Sequence, residues 1–354
     1  MQPTDPPLVA ALARIRAAAA QRDREGTGLD VDIGWLRELG LLAGAMPGIS
    51  GWSDDPVAIC GLLRAIGAAS LPVGRLIEGH INAAQLLALY APDAVRRSCA
   101  AAVRDGALLG VWGADGAEPL VAQASASGFV LSGAKCFCSG LGLVDFALVS
   151  ARDDEGTRLF LIDVRDAARA DHGQWDVSGM RATLSGGYDF TGLTIMAGSE
   201  IGPANVYFQE PHFLGGMYRL CAVQVGGLDA VLDQTTCALR HRGRGEDALA
   251  QYRLGQMASY RALAAQITQG GARRVADRCS PQEVAHEAIL MREGVERCVV
   301  ATLEIVERSL GTTAHRETCA VSRLRRDLSL YIRQAAVDER LMMAGRHYLD
   351  PGPE

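Results

Sequence analysis

The run Leu131-Ser132-Gly133-Ala134-Lys135-Cys136-Phe137-Cys138-Ser139-Gly140 brings together the chain's one lysine, two cysteines, an aromatic ring and a hydroxyl. Such a set can present a flat apolar wall with polar donors beside it. Cys136 and Cys138 alternate with Phe137 as in a strand and would share one sheet face. They read either as buried small hydrophobes or as a redox or metal-binding pair. A second set, Arg240-His241-Arg242-Gly243-Arg244-Gly245, lies between two helical stretches. Its three guanidinium forks would suit a pyrophosphate, or they decorate a solvated interhelical loop. Asp54-Asp55 and Asp153-Asp154 sit among turn residues and read as solvated loop acids.

Other chemistries lack their residues. No GxGxxG, GxxxxGK or GxSxG pattern occurs, and His286-Glu287 lacks the second histidine of a zinc-binding helix, so no metal site is expected. Nine scattered cysteines form no CxxC pair. The 354 residues carry a formal charge of -6, which sets nucleic-acid binding aside. With 49% hydrophobic residues the chain must fold, yet no apolar run is long enough to span a membrane. MQPTDPP has no signal-peptide character, so a cytoplasmic protein is expected.

The elements that would position these residues fall into three regions. Residues 1–104 read as an N-terminal helical domain: Leu8, Leu12 and Ile15 mark one face, Asp32 to Gly40 a short helix closed by glycine, and Pro56–Ala69 and Ile81–Tyr90 further helices broken at Pro72 and Pro92. Residues 105–200 read as a central β-domain, with strands at Gly128–Gly133, Phe146–Ser150, Arg158–Asp163 and Tyr188–Ile195 and a hairpin turn at Asp153–Gly156. Residues 201–354 read as a C-terminal four-helix bundle over Leu214–Arg240, Ala248–Ala276, Pro281–Leu310 and Val321–Tyr348, with Ser280 capping the third helix. The expected fold is α+β and multidomain.

In that α–β–α order the chain resembles the acyl-CoA dehydrogenase superfamily. The resemblance rests on Leu131–Gly140, which follows the family form hydrophobic-x-Gly-x-Lys-x-aromatic-x-Thr/Ser, and on Val144–Val149 after it. Arg37–Leu42, Gly179–Thr183 with Tyr188–Phe190, and Arg323–Asp327 match further family segments in sequence order.

The resemblance implies a flavin, FAD or, in a monooxygenase branch, FMN, held where the β-domain meets the bundle. Phe137 would pack on the flavin ring and Ser139 would hydrogen-bond it. Gly110 to Asp115, with Trp112, occupies the place of the family's flavin loop. Phe137 and Trp112 are otherwise ordinary core aromatics. Arg240 and Arg242 stand at the family's phosphate-contacting turn, and Gln251 near its adenine-side glutamine. Gly311, Thr312 and Thr313 stand at its glycine-rich turn. A homodimer or homotetramer with the cofactor at a subunit interface is implied, together with an electron acceptor or reductase.

The resemblance also implies α,β-dehydrogenation of an acyl thioester, but the catalytic carboxylate is missing. Its usual position is Ala335, and the alternative falls near Gly216. Either another carboxylate substitutes as the base, with Asp338 and Glu210 as the nearby candidates, or the chemistry is different; Asp338 is more simply a surface acid beside Arg340 or Arg333. A flavin monooxygenase of the same fold needs no α-proton base, and Gly311–Ala314 looks more like that branch. A binding or assembly subunit without turnover is the third possibility.

Overall fold

The structure, a computed structural model, describes residues 2–46, 55–333 and 336–349. Asp54 and Ala335 therefore lie outside the described residues. Helices come first: α1 (Pro6–Glu25), α2 (Leu29–Glu38), α3 (Leu41–Gly44), α4 (Pro56–Ala69), α5 (Leu71–Tyr90) and α6 (Asp93–Arg104). Leu8, Leu12 and Ile15 bury one face of α1, as their spacing predicts. Pro72 opens α5 instead of breaking a helix, just after Ser70, whose Oγ accepts from the Val73 N–H. Most of α5 is buried on every side, which hides its period from the sequence.

The strands are β1 (Leu109–Trp112), β2 (Val121–Ser125), β3 (Gly128–Ser132), β4 (Ala134–Lys135), β5 (Phe146–Asp153), β6 (Gly156–Asp163), β7 (Ala170–Asp171), β8 (Gly187–Asp189) and β9 (Thr194–Met196). β5 and β6 pair antiparallel from Phe146–Asp163 to Asp153–Gly156, which leaves Asp154 and Glu155 as the hairpin loop. β1 runs parallel to the start of β5, and β2 meets its end at Arg152. With β3 and β9 these make the larger sheet, and β4, β8 and β7 make a small second one.

Two expectations need correction here. Tyr188–Ile195 is not one strand: β8 belongs to the small sheet and β9 to the large one. Nor does a strand run from Lys135 to Ser139. Phe137 is left-handed at φ 53°, which breaks the alternation. Cys136 and Cys138 therefore do not share a strand face. Cys138 is buried, while the partly exposed Cys136 donates Sγ–H to the Asp115 carbonyl.

The last region holds α7 (Tyr218–His241), α8 (Ala248–Ala276), α9 (Pro281–Leu310), α10 (Ala320–Tyr331) and α11 (Val337–Leu349). Ser280 and Glu283 form a reciprocal capping box at the start of α9. The fourth stretch is two helices, not one, and no glycine or proline marks the break. Side chains of neighbouring helices meet the end of α10. Gln224 on α7 donates to the Tyr331 carbonyl at 3.2 Å, and Arg292 on α9 donates to the Ile332 carbonyl. Carbonyls engaged this way replace helix bonds with tertiary ones.

Glycines let the regions meet. A Cβ at Gly226 on α7 would collide with the Arg64 carbonyl of α4, so these helices touch backbone to backbone. Gly179 packs in the same way on the Arg326 carbonyl of α10. No helix among the described residues is long and apolar enough to cross a membrane.

Candidate functional site

A cleft of about 540 Å³ opens where β1, the segment after β4, the segment before β8 and the end of α10 converge. That volume suits a cofactor ring or a drug-sized molecule. Each wall has an identifiable support.

The first wall is Gly113-Ala114, just past β1. Lys135 secures it from behind, only 2% exposed. Its Nζ donates to Asp115 Oδ1 at 2.6 Å, to the Gly113 carbonyl at 3.2 Å and to Ser150 Oγ at 3.1 Å. Burial lowers the lysine's pKa, and the Asp115 carboxylate opposes that shift.

Phe137 and Ser139 form the second wall. The left-handed turn at Phe137 leaves its ring 63% exposed, edge-on to Trp175 with centroids 6.3 Å apart. Backbone bonds from Cys138 to the Gly186 carbonyl and from Gly140 to the Thr183 carbonyl bind this segment to the one before β8.

Trp175, Thr183 and Ser185 form the third. The Met180 carbonyl organises it, accepting from Trp175 Nε1 at 3.1 Å and from Thr183 Oγ1 at 2.8 Å. Ser185 Oγ lies 2.9 Å from Thr183 Oγ1 and 3.4 Å from Ser139 Oγ. Each hydroxyl has one hydrogen. With that of Ser185 donated to Ser139 Oγ, the Ser139 hydrogen is left for the cleft.

The floor is Arg75 from α5 with Leu330 and Tyr331 from α10. Arg75 Nη1 donates to Glu78 Oε2 at 2.5 Å. Tyr331 Oη is buried and has no hydrogen-bond partner among the described residues, and burial raises the phenol's pKa well above the ordinary value.

The site residues expected from sequence divide into three groups. Phe137 and Ser139 border the cleft. Trp112 does not: it is a core aromatic, 5.6 Å from the Tyr188 ring, and its Nε1 donates to the Ser139 carbonyl at 3.2 Å. An indole at the inward-facing end of β1 supports the wall from behind.

The third group lies at the other end of α10, roughly 17 Å of helix rise away. Arg242 donates to the Leu310 carbonyl at 3.3 Å and to Thr313 Oγ1, which joins the arginine turn to Gly311, Thr312 and Thr313. Gln251 donates to the Gly245 carbonyl at 3.0 Å, and Arg244 pairs with Asp247. Arg240 is exposed and makes no side-chain hydrogen bond or ion pair among the described residues.

Neither candidate base borders the cleft. Asp338 is exposed in the first turn of α11. Glu210 accepts from the Leu214 and Gly215 N–H groups, and burial raises its pKa. Gly216 lies against the Arg219 guanidinium. Sequence reasoning missed Arg75, Trp175 and Tyr331. Arg75 and Glu78 were a legible signal, as two charges in the otherwise apolar stretch Leu71–Gly79.

No protein-family model matches the chain. A dibenzothiophene monooxygenase of Rhodococcus qingshengii is 28% identical over 209 residues, covering 54% of this chain and 49% of that protein. The chain thus spans about half the length of the curated relatives it matches. TdsC of Paenibacillus sp. A11-2, solved with FMN and indole, superposes with a TM-score of 0.85 at 20% identity over 97% of this chain and 96% of that one. Butyryl-CoA dehydrogenase of Megasphaera elsdenii superposes with a TM-score of 0.84 at 16% identity over 95% of this chain and 94% of that one. Cleft and architecture together show that the chain has the acyl-CoA dehydrogenase fold.

Proposed function

We propose that the chain is a flavin-dependent monooxygenase whose cleft takes a reduced flavin, FMN or FAD, and an aromatic substrate. The observation that carries this reading is the lining: aromatic rings and hydroxyls border the cleft, and among the described residues no carboxylate does. The α,β-dehydrogenation of an acyl thioester suggested by the sequence resemblance needs a carboxylate facing the flavin across the substrate. Dibenzothiophene monooxygenases among the relatives, and FMN in TdsC, support the same reading.

The residues present fit such a cofactor. Phe137 and Trp175 would lie against the ring system and keep water from it, and the free Ser139 hydrogen would serve a ring acceptor. Gly113 and Ala114 leave room for close approach. Flavin reduced by a separate reductase supplies the electron pair with which one atom of O2 enters the substrate while the other leaves as water. Arg240 and Arg242, with Gln251, Gly311, Thr312 and Thr313, would contact the phosphate and adenine end of a cofactor in a second copy of the chain, making the protein a homo-oligomer.

The test supplies the purified protein with a flavin reductase, NADH, FMN, labelled dioxygen and either indole or dibenzothiophene. Incorporation of one labelled oxygen per turnover supports the reading. Bound FAD that bleaches without oxygen on adding an acyl thioester overturns it in favour of dehydrogenation. Protein that takes up neither flavin, oxidised or reduced, is a binding subunit.

A further inference from the structure

The oxygenation proposed above consumes protons inside the cleft. One oxygen atom enters the substrate, and the other needs two protons to leave as water. Reduced flavin, as the anion, brings one with its electron pair, so one more must enter. Few groups in the lining can supply it. Among the described residues no carboxylate or imidazole borders the cleft. Arg75 and Arg333 keep their protons, and burial raises the Tyr331 phenol well above its ordinary range. The Thr183 hydroxyl donates to the Met180 carbonyl. Ser139 and Ser185 remain.

A second cavity, of about 440 Å³, adjoins the cleft across Trp175, Val177 and Ser185, which line both. It lies between the end of α1 and the segment from His172 to Ser185. Its Arg24, Glu25, His172 and Asp176 are exposed, so it is open to solvent. Ser185 is only 2% exposed, within the wall between the two spaces. Its Oγ donates to Ser139 Oγ at 3.4 Å, and the Ser139 hydrogen is left for the cleft. A hydroxyl oxygen has two lone pairs besides its hydrogen, so Ser185 can accept from a water of the second cavity while it donates. Each bond of this chain points towards the cleft.

We propose that Ser185 relays a proton from the second cavity to Ser139 and, through it, to the reacting oxygen in the cleft. The relay rests on the monooxygenase reading, because that reaction draws a proton inwards. Ser139 gives its hydrogen to the oxygen that leaves as water and takes that of Ser185. Ser185 takes one from a water molecule, which draws on bulk solvent. Each O–H bond that breaks is replaced by another, and the electron pairs stay with their oxygens. Phe137 and Trp175 can therefore shield the cleft from water without cutting off its protons.

Exchange of the N5–H of isotope-labelled reduced FMN with water reads this path without turnover. It is followed by NMR on the full chain, with indole present and oxygen excluded. Ser185→Ala should slow the exchange on the order of a hundredfold, the effect of losing a positioned proton-transfer group. Ser185→Thr, which keeps a hydroxyl, should restore it. Ser139→Ala, at saturating FMN, should slow it as much, and the double variant no further, because both hydroxyls belong to one chain. An equal rate in wild type and Ser185→Ala overturns the relay, as does slowing by the two substitutions that adds. If Ser185→Ala fails to fold, Ser185→Cys, whose S–H is a weak donor, makes the same comparison. Wild type that binds no reduced FMN overturns the flavin reading and the relay with it. Bound FMN whose exchange ignores Ser185 overturns the relay alone.

Discussion

Asp327 Oδ1, buried on α10, accepts the Met180 N–H at 2.6 Å. One residue of the bundle thereby positions the residue whose carbonyl holds Trp175 and Thr183 at the cleft. The contact joins two regions of the chain that are far apart in sequence, and it places a carboxyl where water cannot reach it.

Burial pushes the Asp327 carboxyl up from 3.8 to about 6, against the pull of Arg323 and the Met180 N–H. The folded protein then binds this proton more readily than the unfolded chain. The group's contribution to stability is full below 3.8 and is lost as pH rises through about 6. Relative to Asp327→Asn, the wild type should therefore gain stability as pH falls from about 7 to about 5, read from urea midpoints. A constant difference between the two proteins would contradict this.

His80 works in the opposite direction. Its Nδ1 accepts the Leu109 N–H and its Nε2 donates to the Leu42 carbonyl, both at 3.0 Å, so the ring is neutral. Burial lowers its pKa from 6.5 to about 4. Its contribution is full above 6.5 and is lost as pH falls towards 4, because the unfolded chain takes the proton first. His80→Gln should flatten the loss of stability on the acid side. An acid limb identical to wild type counts against the neutral ring.

Lys135→Met removes a buried cation from Asp115, Gly113 and Ser150. Breaking a buried pair by deleting one partner costs about 3 kcal/mol, and the variant should melt well below wild type. The same loss should loosen Gly113-Ala114 and weaken flavin binding. Unchanged melting would mean that Asp115 is better solvated than its contacts indicate.

Ser139→Ala removes the hydroxyl whose hydrogen is free for the cleft. Loss of one hydrogen bond of about 1 kcal/mol predicts a roughly fivefold weaker flavin Kd, measured by fluorescence titration. Trp112→Phe, which loses the bond to the Ser139 carbonyl from behind, should weaken binding less. Equal flavin affinity in wild type and Ser139→Ala would remove Ser139 from the site.

The order helical, β, helical was legible from periodicity, and so were the ends of α9, because proline, serine and glutamate act locally at a helix start. The break between α10 and α11 was not legible. At that end Gln224 and Arg292, far away in sequence, donate to the Tyr331 and Ile332 carbonyls. Phe137 and Ser139 stand together at the cleft because the motif that holds them is contiguous. Whether Trp112 faces the cleft or the core was open, because sequence position cannot say which way a strand residue faces.

By itself the sequence determined the fold class, the motif that supplies one wall of the cleft and the absence of glutamate at Ala335. Those properties are local or compositional, and nearest neighbours along the chain decide them. Only the tertiary structure decided that Arg75, Trp175, Thr183 and Tyr331 share one cleft, and that no described carboxylate joins them. The reason is physical: the cleft forms where three stretches far apart in sequence meet, and close backbone contacts at Gly179 and Gly226 bring those stretches together.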